Sequence, residues 1–259
     1  MSRSILRITL ISTFLLLAGT LAYAETFHDT LERTLPFAAG NRLSVSNTNG
    51  DIEVSTWDRD EVEIIADKKV KSSNEGRAKE AFEALKVVID ETAGGITVNT
   101  EYPKSMGGWF GNVNSQVRYT IRVPQQADLE LDTVNGKVMV EGVQGQIGLE
   151  TTNGGVRVED AGGSVTARST NGSIDCELRE VSADEDMNFR TTNGSITLTL
   201  PSGVQANLSA RTTNGSVSTD FPITVQGTFR KNRLEGDLNG GGANLELKTT
   251  NGSIKIREF

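Results

Sequence analysis

The sequence has 259 residues and carries 34 acidic against 26 basic side chains, a formal net charge of −8. A chain this acidic is poorly suited to hold nucleic acid or an anionic membrane over its whole surface. Its single cysteine, Cys176, excludes an internal disulfide, and 27 glycines with only 5% aromatic residues are typical of short strands and tight turns.

Residues 1–24 have the pattern of a secretory signal peptide. Arg3 and Arg7 precede an uncharged apolar stretch, and Ala22-Tyr23-Ala24 fits the small-x-small cleavage site. A transmembrane anchor is the alternative, but the stretch is shorter than the roughly 20 residues that a span requires. We therefore predict an exported protein, periplasmic or at the cell surface, with no transmembrane segment after cleavage. Loss of both arginines leaves 24 basic against 34 acidic residues, a net charge of −10.

Residues 25–126 are predicted to form an α+β cap of strands and one helix at the end of a repeat region. Ser72-Ser73-Asn74-Glu75 resembles a capping box, and the apolar residues that follow share one helical face, which predicts a helix at about 74–87. Strand-like alternation surrounds this helix at 61–66, 95–102 and 116–123. Such a segment would cover the open sheet edge of the first repeat.

Two large aromatic residues, Trp109 and Phe110, stand between glycines in the segment 106–112. Exposed aromatic side chains tend to mark contact sites, so this pair is a candidate for ligand binding. The alternative is that both rings fold back over the end of the repeat region.

Residues 127–259 are predicted to be a β-solenoid with repeats of about 18–22 residues. The tetrapeptide Thr-Thr-Asn-Gly, or a near copy, marks each corner, and one further copy lies in the preceding region. From the second copy to the sixth the steps are 18, 18, 22 and 21 residues, and the last step of 37 is close to two units. The corner asparagines are Asn49, Asn135, Asn153, Asn171, Asn193, Asn214 and Asn251.

Apolar residues recur six and four positions before each asparagine and three and five positions after it. Each unit is therefore predicted to contain two short strands, one on each side of the corner. A meander of hairpins is the alternative, because Asn-Gly accepts the positive φ of a tight turn. Stacked coils explain the recurrence better, since equivalent corners then lie directly above one another and their asparagine side chains can bond in a ladder.

The secretory start, the segment from Asn49 to Asp58 and the recurring Thr-Asn-Gly-Ser-Ile units resemble the bacterial putative-adhesin domains of unknown function. Those domains are similar to the head domains of autotransporter adhesins, and the resemblance covers nearly all of the mature chain. It implies an all-β fold, a single-stranded right-handed β-helix in the cell envelope, and no catalytic residues.

An enzyme would need groups that this sequence does not bring together. His28 is the only histidine, and Cys176 occupies an inward position that most other units fill with an aliphatic residue. Solenoids can also carry polysaccharide lyases or glycosidases, which need two converging carboxylates. Here Glu150, Asp175 and Glu177 lie at different offsets from the corner. We predict no catalytic residue, metal or cofactor, with the polysaccharide-active enzyme as the alternative.

The position three residues before the corner asparagine is outward and varies among the copies. It turns basic in four of them, at Arg168, Arg190, Arg211 and Lys248. Guanidinium groups present forked donors that suit carboxylate or phosphate, so stacked copies would form a basic stripe for an anionic polymer. The alternative is a solvated face on which Glu150 pairs with Arg168. We expect a non-catalytic adhesive or scaffolding module that binds an anionic polysaccharide or an envelope protein, and no nucleic acid.

Overall fold

The computed structural model describes residues 25–92, 94–103, 113–181, 185–222, 224–225 and 230–259, so the predicted signal peptide lies outside the described part. The described residues form an all-β fold with one helix. Its elements are β1 (Glu25–Pro36), β2 (Arg42–Ser46), β3 (Ile52–Trp57), β4 (Glu61–Ser72), α1 (Glu75–Ala84), β5 (Lys86–Thr92), β6 (Gly95–Glu101), β7 (Val113–Pro124), β8 (Asp128–Asn135), β9 (Val138–Glu141), β10 (Gln144–Asn153), β11 (Val156–Asn171), β12 (Ile174–Leu178), β13 (Met187–Asn193), β14 (Ile196–Leu200), β15 (Ala206–Asn214), β16 (Val217–Thr219), β17 (Thr224–Val225), β18 (Arg233–Leu238), β19 (Ala243–Asn251) and β20 (Ile254–Glu258).

Helix α1 begins where the sequence predicts it. The Asn74 side chain accepts a hydrogen bond from the backbone N–H of Arg77 at 3.0 Å, which satisfies one free donor of the first turn. Ala78 and Ala81 are buried, and the Phe82 ring lies 5.8 Å from the ring of Phe27 on β1. The helix therefore packs against the edge strand of the sheet.

The strands pair into one continuous sheet of twenty strands that has two walls. Wall A runs in the order β1, β4, β7, β3, β9, the first part of β11, β12, β14, β20, β16. Wall B runs in the order β5, β6, β2, β8, β10, the second part of β11, β13, β19, β15, β18, β17. Strand β11 belongs to both walls and joins them.

One rung of the stack is a wall B strand and the wall A strand that follows it, and in every rung except β6–β7 an Asn-Gly corner joins the two. The two strands of a rung do not pair with each other; β8, for example, pairs in parallel with β2 and β10, while β9 pairs in parallel with β3 and β11. The asparagines at these corners also lack the positive φ of a hairpin turn, which among described non-glycine residues occurs at Asp160 and Asn239. The hairpin meander is therefore wrong, and parallel stacking explains the repeat.

The order of the rungs departs from the order of the sequence at both ends of the stack. The rung β2–β3 lies between β6–β7 and β8–β9, and the last rung, β19–β20, lies between β13–β14 and β15–β16. The long last step of the repeat does not hold a second parallel unit, because β18 runs antiparallel to β15. Sequence neighbours in the repeat are therefore not always neighbours in space.

The apolar positions predicted around each corner form the core between the walls. All of them are buried except Thr219, which is half-buried. The outward positions of each strand alternate with them, as expected for strands with one face on a core. The core thus fixes which side chains of wall B reach the solvent.

Candidate functional site

Each corner is held by a buried polar side chain, which is a hydroxyl in every copy except the first. The side chain at the first position of the tetrapeptide is buried, whether it is threonine, serine or asparagine. The threonine at the second position is half-buried or exposed. Thr191 Oγ1 donates to the carbonyl oxygen of Gly172 in the neighbouring rung at 2.8 Å, and Thr249 Oγ1 donates to that of Gly194 at the same distance. In the first copy Asn47 takes this place, and its Nδ2 donates to the carbonyl oxygen of Val117 on the neighbouring β7 at 2.8 Å and to that of Gly50 at 3.2 Å. The threonine therefore satisfies a backbone acceptor that would otherwise have no donor at the corner.

The glycine after each asparagine is required by a close approach between rungs. A Cβ atom added to Gly154 would overlap the carbonyl oxygen of Gly136, and one added to Gly172 would overlap that of Gly154. The same holds at the other corners, where an added Cβ would overlap the carbonyl oxygen of the neighbouring rung's corner glycine or, at Gly50, that of Val117. No side chain fits there, so glycine recurs for a steric reason.

The corner asparagines form a continuous ladder across the stack. In the spatial order Asn49, Asn135, Asn153, Asn171, Asn193, Asn251, Asn214, the Nδ2 of each asparagine donates to the Oδ1 of the asparagine before it at 2.7 to 2.8 Å. The ladder follows the spatial order of the rungs. These asparagines bond to one another, which gives them a structural role at the turn.

The four basic residues singled out in the sequence lie in one row on the outer face of wall B, which we call the cation row. Arg168 pairs in register with Arg190, Arg190 with Lys248, and Lys248 with Arg211. The three arginines are exposed and Lys248 is half-buried. Arg190 and Arg211 belong to consecutive copies of the repeat but are not register neighbours, because the inserted rung places Lys248 between them.

None of these four cations has a carboxylate oxygen within 4.0 Å among the described residues. Glu150 is the register neighbour of Arg168, yet the two do not form an ion pair at that distance. Side chains on adjacent strands stand about 5 Å apart, so like charges there repel each other. The cation row is therefore a surface on which a bound anion would relieve repulsion.

One further cation continues the row. Arg233 on β18 is the register partner of Arg211, but its guanidinium is already paired with Glu235 at 2.6 Å. The repeat pattern cannot reveal Arg233, because it lies on an antiparallel strand outside the Thr-Thr-Asn-Gly repeat.

At its other end the row changes sign. Asp132 and Glu150 occupy the same outward position on β8 and β10, and Glu130 lies two residues before Asp132. Partial burial raises the pKa of Asp132, and the neighbouring carboxylates Glu130 and Glu150 raise it further. The outer face of wall B is therefore acidic on two rungs and basic on the four that follow.

The alternative of an enzyme requires two acids in one groove. The acids just described are neighbours, but they lie on an open strand face. A concavity of about 410 Å³ beside the Asn49 corner contains one carboxylate, Asp51, and a smaller one beside Pro201 contains Glu180. No described concavity therefore holds a carboxylate pair.

The remaining candidates lie elsewhere. Trp109 and Phe110 fall outside the described residues. His28 Nε2 lies 2.5 Å from Asp67 Oδ1, across the β1–β4 pair. Cys176 is fully buried, and this burial raises the pKa of its thiol. Among the described residues no cluster of three or more metal-ligating side chains is found, and no helix there is long and apolar enough to cross a membrane.

Comparison with known proteins gives one family. The family described as Toastrack DUF4097 matches residues 13–257. No curated protein matches the chain.

Several solved structures are similar over most of their length. A putative cell adhesion protein from Clostridium sporogenes covers 91% of this chain and 100% of its own, at 14% identity and a TM-score of 0.43. A putative adhesin from Bacteroides fragilis covers 89% and 97%, at 10% identity and a TM-score of 0.34. A putative lipid binding protein from Parabacteroides distasonis covers 89% and 96%, at 10% identity and a TM-score of 0.27.

Proposed function

This chain belongs to the Toastrack DUF4097 family, and we propose that it is an exported adhesive or scaffolding module of the bacterial envelope that binds an anionic polymer on its cation row. The observation that carries the proposal is the register of Arg168, Arg190, Lys248 and Arg211 on adjacent strands without a carboxylate partner among the described residues. The proposed role is non-catalytic, since a flat row of cations can hold a ligand but offers no paired acid and base.

The electrostatics favour an anionic ligand over a neutral one. An isolated exposed ion pair contributes only about 0–1 kcal/mol, so one arginine would hold little. Four cations in one row act together on a ligand that carries several charges, because each contact after the first is intramolecular. Arginine also suits oxyanions better than lysine does, since its planar fork donates two parallel hydrogen bonds.

Export and the sense of the coil are parts of the same proposal. Residues 1–24 would direct the chain out of the cytoplasm and would be removed at Ala24. A right-handed winding is supported by general topology, because crossovers between parallel strands of one sheet are right-handed in about 98% of cases. The partner would then be met in the periplasm or at the cell surface.

The experiment compares two double charge reversals in the mature chain. Arg190→Glu with Arg211→Glu places a carboxylate on both sides of Lys248 and so cancels the row. Lys255→Glu with Arg257→Glu makes the same change in net charge on the outer face of wall A, in the rung that holds Lys248. Both pairs are exposed, so neither should alter the core.

The assay is salt-dependent retention on immobilised polygalacturonate and on immobilised polyphosphate, with neutral dextran as the reference matrix. We expect the wild type and the wall A variant to be retained at low salt and the wall B variant to be lost. Equal retention of the two variants would show that net charge alone acts, and absence of wild-type retention on both matrices would refute the proposed function. Circular dichroism of each variant confirms that it is folded.

A further inference from the structure

The cation row has a direction and two ends, which limit the ligand it can hold. We infer that its ligand is a linear polyanion that lies across the strands, along the stack, with one oxyanion group on each rung from Arg168 to Arg211. This inference rests on the proposed function, because it specifies how the same row is used.

The direction follows from what each strand places on its outer face. Along β13 the outward residues are Asn188, Arg190 and Thr192, so a ligand that follows the strand meets a single cation. Across the strands the same position is basic on four neighbouring rungs. These rungs are about 4.8 Å apart, so the row spans about 14 Å. Only a ligand that crosses the strands meets all four charges.

The two ends of the row are set by different means. Beyond Arg168 the next residues in the row are Glu150 and Asp132, which repel an anion. Beyond Arg211 the next residue is Arg233, whose Nε and Nη2 donate to Glu235 Oε1 at 2.9 and 2.6 Å. The part of the cation row without a carboxylate partner is thus four cations long, from Arg168 to Arg211, and we call it the track.

The rows on either side of the track are largely uncharged. On the side of the corner stand the outward threonines, which carry no fixed charge and can donate to oxygen atoms of a polymer; they are Thr170, Thr192, Thr250 and Thr213. On the other side the one carboxylate is Glu246, and its Oε2 accepts a hydrogen bond from Asn188 Nδ2 at 2.9 Å. A thin linear chain fits between these rows better than a globular acidic surface does.

The oxyanion can be a carboxylate or a phosphate, because a guanidinium group donates paired hydrogen bonds to either. The decisive measurement is therefore affinity against chain length. Oligogalacturonates and polyphosphates of increasing length are titrated into the mature protein by calorimetry. Affinity should rise with each added group up to about four groups, where the track ends, and only slightly beyond. Length dependence with either polymer supports the inference, and the tighter polymer identifies the oxyanion.

A variant that lengthens the track gives an independent test. Glu150→Lys continues the row by one rung, whereas Glu141→Lys makes the same charge change at an exposed position on wall A. For oligomers of five or more groups, Glu150→Lys should raise the affinity by roughly two- to fivefold and steepen its salt dependence, as one further exposed ion pair would. Glu141→Lys should leave both nearly unchanged.

The possible failures are distinguishable. If no polyanion of any length binds, the proposed function itself fails. If polyanions bind through Arg190 and Arg211 but affinity does not depend on length, or if both lysine variants behave alike, the row binds anions and only the alignment along the stack is refuted.

Discussion

Replacing the buried corner threonine with valine tests how the rungs are joined. Thr191 is 2% exposed, and its hydroxyl donates at 2.8 Å to the carbonyl oxygen of Gly172. Valine keeps the branched shape of the side chain but removes this donor. Thr192, the next residue, is exposed and forms no hydrogen bond through its hydroxyl among the described contacts, so Thr192→Val is a matched control.

The magnitude follows from leaving one buried acceptor without a partner, which costs about 1–3 kcal/mol. For a chain of this size each kcal/mol lowers the melting temperature by about 2–4 °C. The control should stay within about 0.5 kcal/mol, as surface substitutions usually do. Thr249→Val should repeat the loss of Thr191→Val, because its hydroxyl makes the equivalent contact with Gly194 at 2.8 Å.

The assay is urea unfolding of the mature chain followed by far-ultraviolet circular dichroism, together with thermal unfolding. Midpoints are compared directly, because a stack of rungs need not unfold in two states. If Thr191→Val and Thr192→Val shift the midpoint equally, the hydroxyl bond between rungs does not stabilise the corner and the reasoning is refuted.

Three further outcomes are expected. Asp132→Asn should stabilise the protein at neutral pH and lose this effect as the pH falls. The reason is that the raised pKa of Asp132 means that ionisation of its carboxyl group opposes folding, whereas the protonated form does not. A difference in urea midpoint between variant and wild type that stays the same at every pH would contradict this. Cys176 should resist thiol reagents in the native protein and react once urea unfolds it, since it is fully buried; equal reaction rates in the two states would refute the inward placement. Deletion of residues 243–259 removes β19 and β20 and should expose the segment from β15 to β18 to limited proteolysis. The reason is that β13 and β15 would then lie about 10 Å apart with no strand between them. A segment that stays protected would show that the rungs can close this gap.

The sequence predicts the content of a rung in detail because that content is local. Alternation with period two identifies the inward positions, such as Leu149 and Val156, and the corner residues identify where one wall ends and the next begins. The helix at Glu75–Ala84 is likewise visible from its N-cap and its apolar face. Even Cys176 is placed correctly, because it occupies an aliphatic position of the repeat.

The cation row could be predicted only in part. Its members are visible as the variable position before each corner, but their neighbours are not. Lys248 lies between Arg190 and Arg211, and Arg233 extends the row from a strand outside the repeat. That Glu150 borders the cation row on its acidic side is likewise known only from the order of the strands.

The amino-acid sequence by itself determined what each rung is: two short strands, an Asn-Gly corner, a buried threonine and an apolar interior. Only the tertiary structure decided the order in which the rungs stack. The physical reason is that most corners offer the same asparagine amide, glycine carbonyl and buried hydroxyl, so the corner residues do not specify which rung lies next to which. The insertion of β19–β20 between β13–β14 and β15–β16 is therefore invisible to a local pattern, and it is this insertion that places Lys248 between Arg190 and Arg211 in the cation row.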